Sequence, residues 1–156
     1  MLRDNIVNDG KFAIATHKAE ADCSTGMGVV IDVATKTFAV PSEETATDIY
    51  LIDKERIPTG INASKTDYSD YFEEFVTVEK DEFAKLVKYV RGESFLTDQI
   101  GSDVTADAVG KRVAVGTDGK WKVATVASAY EVAGIVSDNG HTLAKIQVKD
   151  TEAENA

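Results

Sequence analysis

The chain is short of the residues from which covalent frameworks and metal centres are built. Its 156 residues include one cysteine, two histidines, one tryptophan and two prolines. Cys23 has no second thiol to pair with, so an intrachain disulfide is excluded, and a chain of this length buries about 70% of its unfolded surface without one. His17 and His141 lie far apart, and neither neighbourhood has the short ligand spacing of a structural zinc site. We expect both to be ordinary loop residues and the protein to hold no metal or other cofactor.

Basic residues are also scarce, since 17 Lys and Arg stand against 27 Asp and Glu and give a formal net charge of −10. Binding to a phosphate backbone depends on Lys and Arg that displace counterions, so we expect no nucleic-acid partner. No apolar run approaches the roughly 20 residues that span a bilayer, and the first residues lack the regions of a signal peptide. We therefore expect no membrane partner and a protein that is made and used without secretion.

The sequence contains no complete motif for catalysis or phosphate binding. Gly110-Lys111 and Gly119-Lys120 lack both the upstream glycine and the following Ser or Thr of a Walker loop, and no G-x-S-x-G elbow is present. The acidic segment from Asp67 to Glu74 does not have the spacing of a calcium loop. We predict no enzymatic activity and no catalytic residues. A carboxylate-pair hydrolase stays open as an alternative, because the separation of two acids in space decides that chemistry.

What the sequence does contain is a set of strong hairpin signals near its C-terminus. β-Branched residues flank Gly116-Thr117-Asp118-Gly119 and again Ser137-Asp138-Asn139-Gly140. Asp-Gly and Asn-Gly favour tight turns that match strand twist, because those turns need residues that tolerate positive φ. Two such turns about twenty residues apart predict a meander over Val109 to Val148. Trp121 lies within it, and we expect core packing there, with a partner anchor as the less favoured role.

Short strands separated by turn clusters recur along the rest of the chain. This rhythm predicts a mostly β fold, a small sandwich or open barrel of short antiparallel strands with at most one or two short helices. Gly26 to Val33 is nearly continuously apolar and predicts a strand buried on much of both faces. Within 75–90, Phe75 to Val78 alternates as a strand, whereas Phe83 to Val90 fits a helix or a strand, and we favour the strand for Ala84 to Val90.

The sequence divides into an extended arm at 1–11, a single β-rich domain at 12–149 and a frayed acidic tail at 150–156. A long loop at 54–70 interrupts the domain, and loops longer than about 12–15 residues are usually functional or mobile. We expect this loop and the arm to face a partner. The candidate partner-binding residues are the apolar positions of the arm and the aromatic residues at the loop's end, namely Leu2, Ile6, Val7, Tyr68, Tyr71 and Phe72.

The final third of the chain resembles a known class of viral structural proteins. Val109 to Ala124, Glu131 to Val136 and His141 to Val148 follow the pattern G-x-x-V-x-V-x-x-x-G, then G-x-V, then a hydrophobic closing strand. This pattern is similar to that of small β-rich capsid decoration, or cement, proteins of tailed bacteriophages. Lys80 to Ala84 and Gly92 to Gln99 also resemble connecting segments of such proteins, so the resemblance covers roughly half of the chain.

The resemblance implies a non-enzymatic protein of the virion, made in the host cytoplasm and bound to the outside of an icosahedral shell. Its partner would be the major capsid protein, which it would stabilise against the pressure of packaged DNA. In that family an N-terminal arm commonly adds a strand to the shell, and Leu2 to Val7 would be the counterpart. The resemblance also implies a homotrimer, although the extra length at Lys54 to Asp70 leaves the oligomeric state open.

We therefore expect a structural protein that binds and stabilises a phage capsid. The first alternative is a head-fibre or tail component whose aromatic loop contacts a host surface. The second is the carboxylate-pair hydrolase, which would need an internal cleft with two facing acids.

Overall fold

A computed structural model describes residues 2–6, 12–54, 71 and 73–156. The fold is mostly β, with 49% of residues in strands and 5% helical, and it consists of several small antiparallel sheets, none of them closed into a barrel. This arrangement agrees with a small β sandwich and confirms the predicted fold class. No helix in these residues is long and apolar enough to cross a membrane.

The elements follow one another as short strands with little helix between them. In chain order they are β1 (Leu2–Ile6), β2 (Phe12–Ile14), β3 (Lys18–Ala19), β4 (Cys23–Ser24), β5 (Gly28–Asp32), β6 (Thr37–Ala39), β7 (Tyr50–Asp53), the helical turn α1 (Glu73–Val76), β8 (Thr77–Val78), β9 (Lys85–Lys88), β10 (Ser94–Thr97), a 3-10 turn (Ala106–Ala108), β11 (Val113–Val115), β12 (Trp121–Val123), β13 (Ser128–Asp138) and β14 (His141–Ala153).

The described part of the chain forms two larger sheets and two sheets of two strands each. One sheet has the strand order β2-β9-β7-β5-β6-β3, and its pairs are antiparallel except for β3 with β6. The other has the order β1-β10-β14-β13 and is antiparallel throughout. The pairs β11–β12 and β4–β8 make the two small sheets.

Both predicted hairpin turns are present, and each has the backbone that its residues favour. Asn139 and Gly140 have φ values of 49° and 82°, and they join β13 to β14 with Asp138 opposite His141. Gly119, at φ 74°, closes the turn between β11 and β12. The predicted meander is wrong, however, because the two hairpins belong to different sheets and β12 does not pair with β13.

The six-stranded sheet is buried on both of its faces. Leu51 and Val87 belong to a first hydrophobic cluster, while their chain neighbours Ile52 and Leu86 belong to a second cluster, and none of the four is exposed. Successive side chains of a strand point to opposite faces, so the two clusters lie on opposite sides of this sheet. β5 follows the same rule, as predicted for a strand covered on both faces, since Val29 lies in the second cluster and Val30 packs against the first.

A chain of four aromatic side chains runs through the first cluster. The ring centroids of Tyr89 and Phe95 are 4.7 Å apart, those of Phe95 and Trp121 are 5.4 Å apart, and those of Trp121 and Tyr130 are 4.8 Å apart. Trp121 is fully buried, which confirms its predicted core role. Because Trp121 lies in β12 whereas Phe95 and Tyr130 lie in β10 and β13, these contacts join the β11–β12 hairpin to the four-stranded sheet.

The β11–β12 hairpin also lies close against β5. The Gly28 N–H donates to the Gly119 carbonyl at 2.9 Å. A Cβ at Gly28 would collide with a methyl of Val115 and lie 3.2 Å from a methyl of Ile49. A side chain at position 28 would therefore force the hairpin away from the six-stranded sheet.

Two expectations about particular segments are wrong, and one is confirmed. Phe75 and Val76 belong to the helical turn α1, so the strand predicted over Phe75 to Val78 is reduced to Thr77–Val78. The tail is not frayed through its length, because β14 continues to Ala153 and Asn155 hydrogen-bonds the backbone of Arg112 and Ala124. The strand favoured for Ala84 to Val90 is confirmed as β9.

We predict that Trp121→Ala lowers the free energy of unfolding by about 3–5 kcal/mol, because it removes the central ring of the aromatic chain and leaves a cavity. Trp121→Phe is the matched variant. We expect it to lower the free energy of unfolding by less, because it keeps a ring and removes an indole N–H that has no hydrogen-bond partner among the described residues. Urea unfolding followed by circular dichroism measures both values. Equal losses for the two variants would contradict this account.

Candidate functional site

The apolar residues of the predicted arm lie in or beside β1. Leu2 and Ile6 are the first and last residues of this strand, while Val7 lies outside the described residues. β1 is an edge strand that pairs with β10 of its own chain, with Leu2 opposite Thr97 and Ile6 opposite Ser94. Residues 2–6 are therefore part of the four-stranded sheet and not a separate arm, with one side of β1 left without a neighbouring strand in the described structure.

Of the three aromatic residues predicted to face a partner, Tyr71 is the one that the structure describes; Tyr68 and Phe72 lie outside the described residues. The Tyr71 ring stacks on His141 with centroids 3.7 Å apart and planes within 2° of parallel. Its hydroxyl donates to Oδ2 of Asp138 at 2.9 Å. Tyr71 therefore contacts the turn end of the β13–β14 hairpin, and a partner could reach only the part of its ring that these contacts leave open.

Lys54 is held at the start of the predicted long loop. Its backbone N–H donates to Oγ1 of Thr25 at 3.2 Å, and its ammonium group donates to the Thr77 carbonyl at 2.5 Å and pairs with Glu82 at 3.1 Å. Lys54 and Tyr71 thus fix the two points at which the chain leaves and re-enters the described structure around 55–70.

The residues with intrinsic chemical reactivity do not converge. His141 is at the hairpin end, whereas His17 is buried with Nδ1 3.3 Å from Oγ1 of Thr16. Cys23 is buried in β4, where desolvation, with the nearby Asp22 and Glu82 charges, raises the pKa of its thiol to about 11. Within the described residues, no three His, Cys, Asp or Glu side chains are placed to hold a metal ion.

One concave feature of the described surface is a cleft of about 480 Å³. Its walls come from β9 and the turn after it, from the loop before β7, and from the ends of β13 and β14. Tyr89, Tyr130 and Val148 form its buried part, and Arg91, Asp150 and Glu152 are exposed around it. We call this feature the β14 cleft.

Electrostatic and backbone features distinguish one wall of the β14 cleft. Asp48 has a positive φ of 52°, a conformation that Asp tolerates better than most residues, and its carboxylate accepts from Lys88 Nζ at 2.6 Å. Burial, helped by the Asp48 charge, raises the pKa of Tyr130 to about 12. The Tyr130 hydroxyl therefore stays protonated at neutral pH and can act as a hydrogen-bond donor.

The sequence does not reveal the β14 cleft, because its residues come from four separate segments with no shared motif. The cleft forms only where β14 extends beyond the end of β10, and strand lengths are among the features that local patterns predict least well. The acidic residues at its rim lie in the segment expected to be a frayed tail.

We predict that Cys23 reacts slowly with a thiol reagent such as dithionitrobenzoate in the folded protein. The thiolate is the reactive form, and raising the pKa from 9.0 to about 11 reduces its population at pH 8 by roughly 100-fold. Absorbance measurements in buffer and in denaturing urea give the two rates. Equal rates would show that Cys23 is open to solvent in the native state.

Two substitutions of Tyr71 should separate its hydrogen bond to Asp138 from its stacking on His141. We expect Tyr71→Phe to cost about 0.5–1.5 kcal/mol of unfolding free energy through the lost hydrogen bond to Asp138, and Tyr71→Ala to cost about 0.5–1.5 kcal/mol more through the lost stacking. Urea unfolding measures both. The ring-current shift of the His141 proton signals in NMR spectra should persist in Tyr71→Phe and disappear in Tyr71→Ala. Its absence from the unsubstituted protein would contradict the stacked arrangement.

A scan against protein-family models finds no match to this chain, and a search of curated proteins finds none either.

Proposed function

We propose that this chain is a decoration protein that binds the outside of a phage capsid and stabilises it, with the major capsid protein as its partner. The observation that carries the proposal is β1, which forms an edge of the four-stranded sheet. When a partner adds a strand at such an edge, main-chain hydrogen bonds provide the affinity, so many partner sequences can bind. The N-terminal segment can therefore bind the capsid while β1 stays paired with β10 in its own sheet.

The direction of the backbone groups in β1 follows from the register. Peptide groups alternate in direction along an antiparallel strand. Val148 bonds Glu93 and Gly92, so its backbone groups face the β10 side. Because Glu93 faces β14 through its bond to Val148, alternation along β10 directs the N–H and carbonyl of Leu96 toward β1. Arg3 is the partner of Leu96, so the N–H and carbonyl of Arg3 face β10. The N–H and carbonyl of Asp4 therefore point away from the sheet, toward an added strand.

The charge distribution supports an exterior position on a particle. The net charge is −10, and Glu93 is the single buried acidic residue in the described part of the chain. Acidic surfaces of this kind keep a protein soluble and weaken its adhesion to nucleic acid. A protein on the outside of a capsid has to stay soluble and avoid adhering to nucleic acid in a lysate rich in DNA.

The test uses empty capsids of the phage that encodes the chain. We expect the purified protein to pellet with them, and Asp4→Pro to bind about tenfold more weakly, because proline removes the outward N–H. Asp4→Ala is the matched control, since it removes the same carboxylate but keeps the N–H, and it should bind within about twofold of the unsubstituted protein.

The possible outcomes distinguish a failure of capsid binding from a failure of the role proposed for β1. Unsubstituted protein that stays entirely in the supernatant would refute capsid binding itself. Equal pelleting of Asp4→Pro and Asp4→Ala would leave capsid binding in place and refute the role of β1. Circular dichroism spectra of the two variants check that each retains the β fold.

A further inference from the structure

β13 is the last strand of the four-stranded sheet, so one of its edges faces away from β14. Near its start this edge is covered, because Val132 donates to the Lys111 carbonyl at 3.0 Å and accepts from the Gly110 N–H at 2.8 Å. The register of β13 on β14 then shifts between Val132 and Gly134. From Gly134 to Asp138, no strand of the described structure lies on the outer side. We call these five residues the outer edge of β13.

The pairing with β14 fixes the direction of the peptide groups along this edge. Val148 faces the β10 side, and alternation along β14 gives the same direction to Ala144. The register shift does not interrupt this alternation, because the extra residue, Ala133, belongs to β13. Ala144 lies opposite Ile135, so the N–H and carbonyl of Ile135 point away from β14.

The hairpin turn gives the same result from the other end of the outer edge. Asp138 and His141 flank a two-residue turn, and residues in that position exchange hydrogen bonds with each other. Alternation then directs the N–H and carbonyl of Ser137 away from β14. Neither Ile135 nor Ser137 forms a hydrogen bond on that side within the described residues. The edge therefore offers two N–H groups and two carbonyls to an added strand.

The outer edge of β13 lacks the side chains that usually protect an exposed edge strand. Charged residues and proline discourage pairing with another chain, and Gly134 to Ser137 includes neither. The Val136 side chain is 42% exposed, and Ser137 is exposed as well. The segment thus presents both an open ladder and apolar surface.

A second copy of the chain complements this edge. In an antiparallel pair centred on Val136, the peptide groups of Ile135 meet those of Ser137 in the second copy, and the two-fold axis repeats the contact. Every outward N–H of these residues then gains an acceptor. The two Val136 side chains lie opposite each other, where their exposed apolar surface leaves water.

Charge complementarity favours the same register. Asp138 of the second copy lies opposite Gly134, and Lys145 lies opposite Gly134 on the other side, in β14. All three positions share one face of the joined sheet, with the Cα atoms of Lys145 and the incoming aspartate about 10 Å apart, two strand spacings. A Cβ at Gly134 would meet no described atom within 4 Å, so the space between the two charged groups is open.

Both charged groups are able to make this contact. Lys145 forms no ion pair within the described residues. Asp138 accepts from the Tyr71 hydroxyl through Oδ2, and a carboxylate has further acceptor sites on both oxygens. The two-fold axis forms the ion pair twice in each dimer.

We propose that this chain forms a two-fold dimer through the outer edge of β13, in which Ile135 pairs with Ser137 of the second copy. The pairing joins two four-stranded sheets into one continuous sheet. The net charge of −10 on each copy opposes association, but ions screen this repulsion beyond about 8 Å at physiological ionic strength. The dimer uses the opposite edge of the sheet from β1 and does not depend on capsid binding.

Sedimentation velocity over a range of protein concentrations, at about 0.15 M salt, measures the association. We expect dimers that dissociate on dilution, because a single strand edge is a small interface. Amide hydrogen exchange at Ile135 and Ser137 should slow by at least about tenfold between dilute and concentrated solutions, because both N–H groups gain acceptors. Asp4→Pro should dimerise like the unsubstituted protein, which keeps this proposal distinguishable from the capsid one.

Paired variants at position 137 test the ladder. Ser137→Ala removes the hydroxyl and keeps the N–H, so its dissociation constant should stay within about twofold of the unsubstituted protein. Ser137→Pro removes one outward N–H from each copy, and we expect the dissociation constant to rise at least about tenfold. Proline is tolerated on an edge strand where the N–H faces solvent, and circular dichroism checks that the fold is retained.

Paired charge reversals test the contact across Gly134. Lys145→Glu places a carboxylate beside Asp138 of the second copy, so we expect dimerisation at least about threefold weaker. Lys80→Glu is the matched control, because it makes the same change in net charge in the turn between β8 and β9. Its effect on the dissociation constant should be smaller.

Several results would overturn the proposal. Monomers at every concentration up to about 1 mM would refute the dimer, and trimers would refute the two-fold pairing. Dimers without protection at Ile135 and Ser137 would show that another surface joins the copies. Monomers in which these two amides become protected only on capsids would assign the edge to the capsid protein.

A variant at the axis keeps the test decisive if Ser137→Pro fails to fold. Val136→Lys changes an exposed position and places two like charges opposite each other, which is unfavourable on paired strands. We expect it to abolish the dimers while the monomer keeps its circular dichroism spectrum. Dimers that persist in Val136→Lys would contradict a contact centred on this residue.

Discussion

The aromatic contacts from Tyr89 to Tyr130 are the constraint on which the arrangement of the sheets depends. Each contact contributes about 0.5–1.5 kcal/mol beyond the area it buries, and together they join β10, β12 and β13 to the end of β9. Because the two outer rings, Tyr89 and Tyr130, also line the β14 cleft, the cleft is built on the core. Its walls are positioned by packing and not by a loop.

The proposed capsid contact uses β1, an edge strand of the four-stranded sheet. Natural proteins protect exposed strand edges with charged residues, because an open ladder invites pairing with any other strand. The net charge of −10 opposes pairing between identical copies at the β1 edge and favours a partner that brings basic residues there.

The structure also changes how the long loop is understood. Its proposed role rests on aromatic residues near 70, yet Tyr71 stacks on His141 and bonds Asp138. Lys54 is similarly engaged with Thr77 and Glu82. These contacts connect the segment's two ends to separate sheets, Lys54 beside β8 and Tyr71 at the end of β13.

Local sequence determined the features that depend on neighbouring residues alone. Asn139-Gly140 and Gly119 specified their turns because few other residues accept positive φ, the alternating valines specified strands, and Trp121 specified core because of its apolar surface. Tertiary structure decided the rest. Phe75 and Val76 joined a helical turn, and Leu2–Ile6 paired with β10. β14 continues to Ala153, which pairs with Ser128, and Asn155 is bonded to Arg112 and Ala124. Each of these outcomes depends on hydrogen bonds or packing between residues distant in sequence, which no local pattern contains.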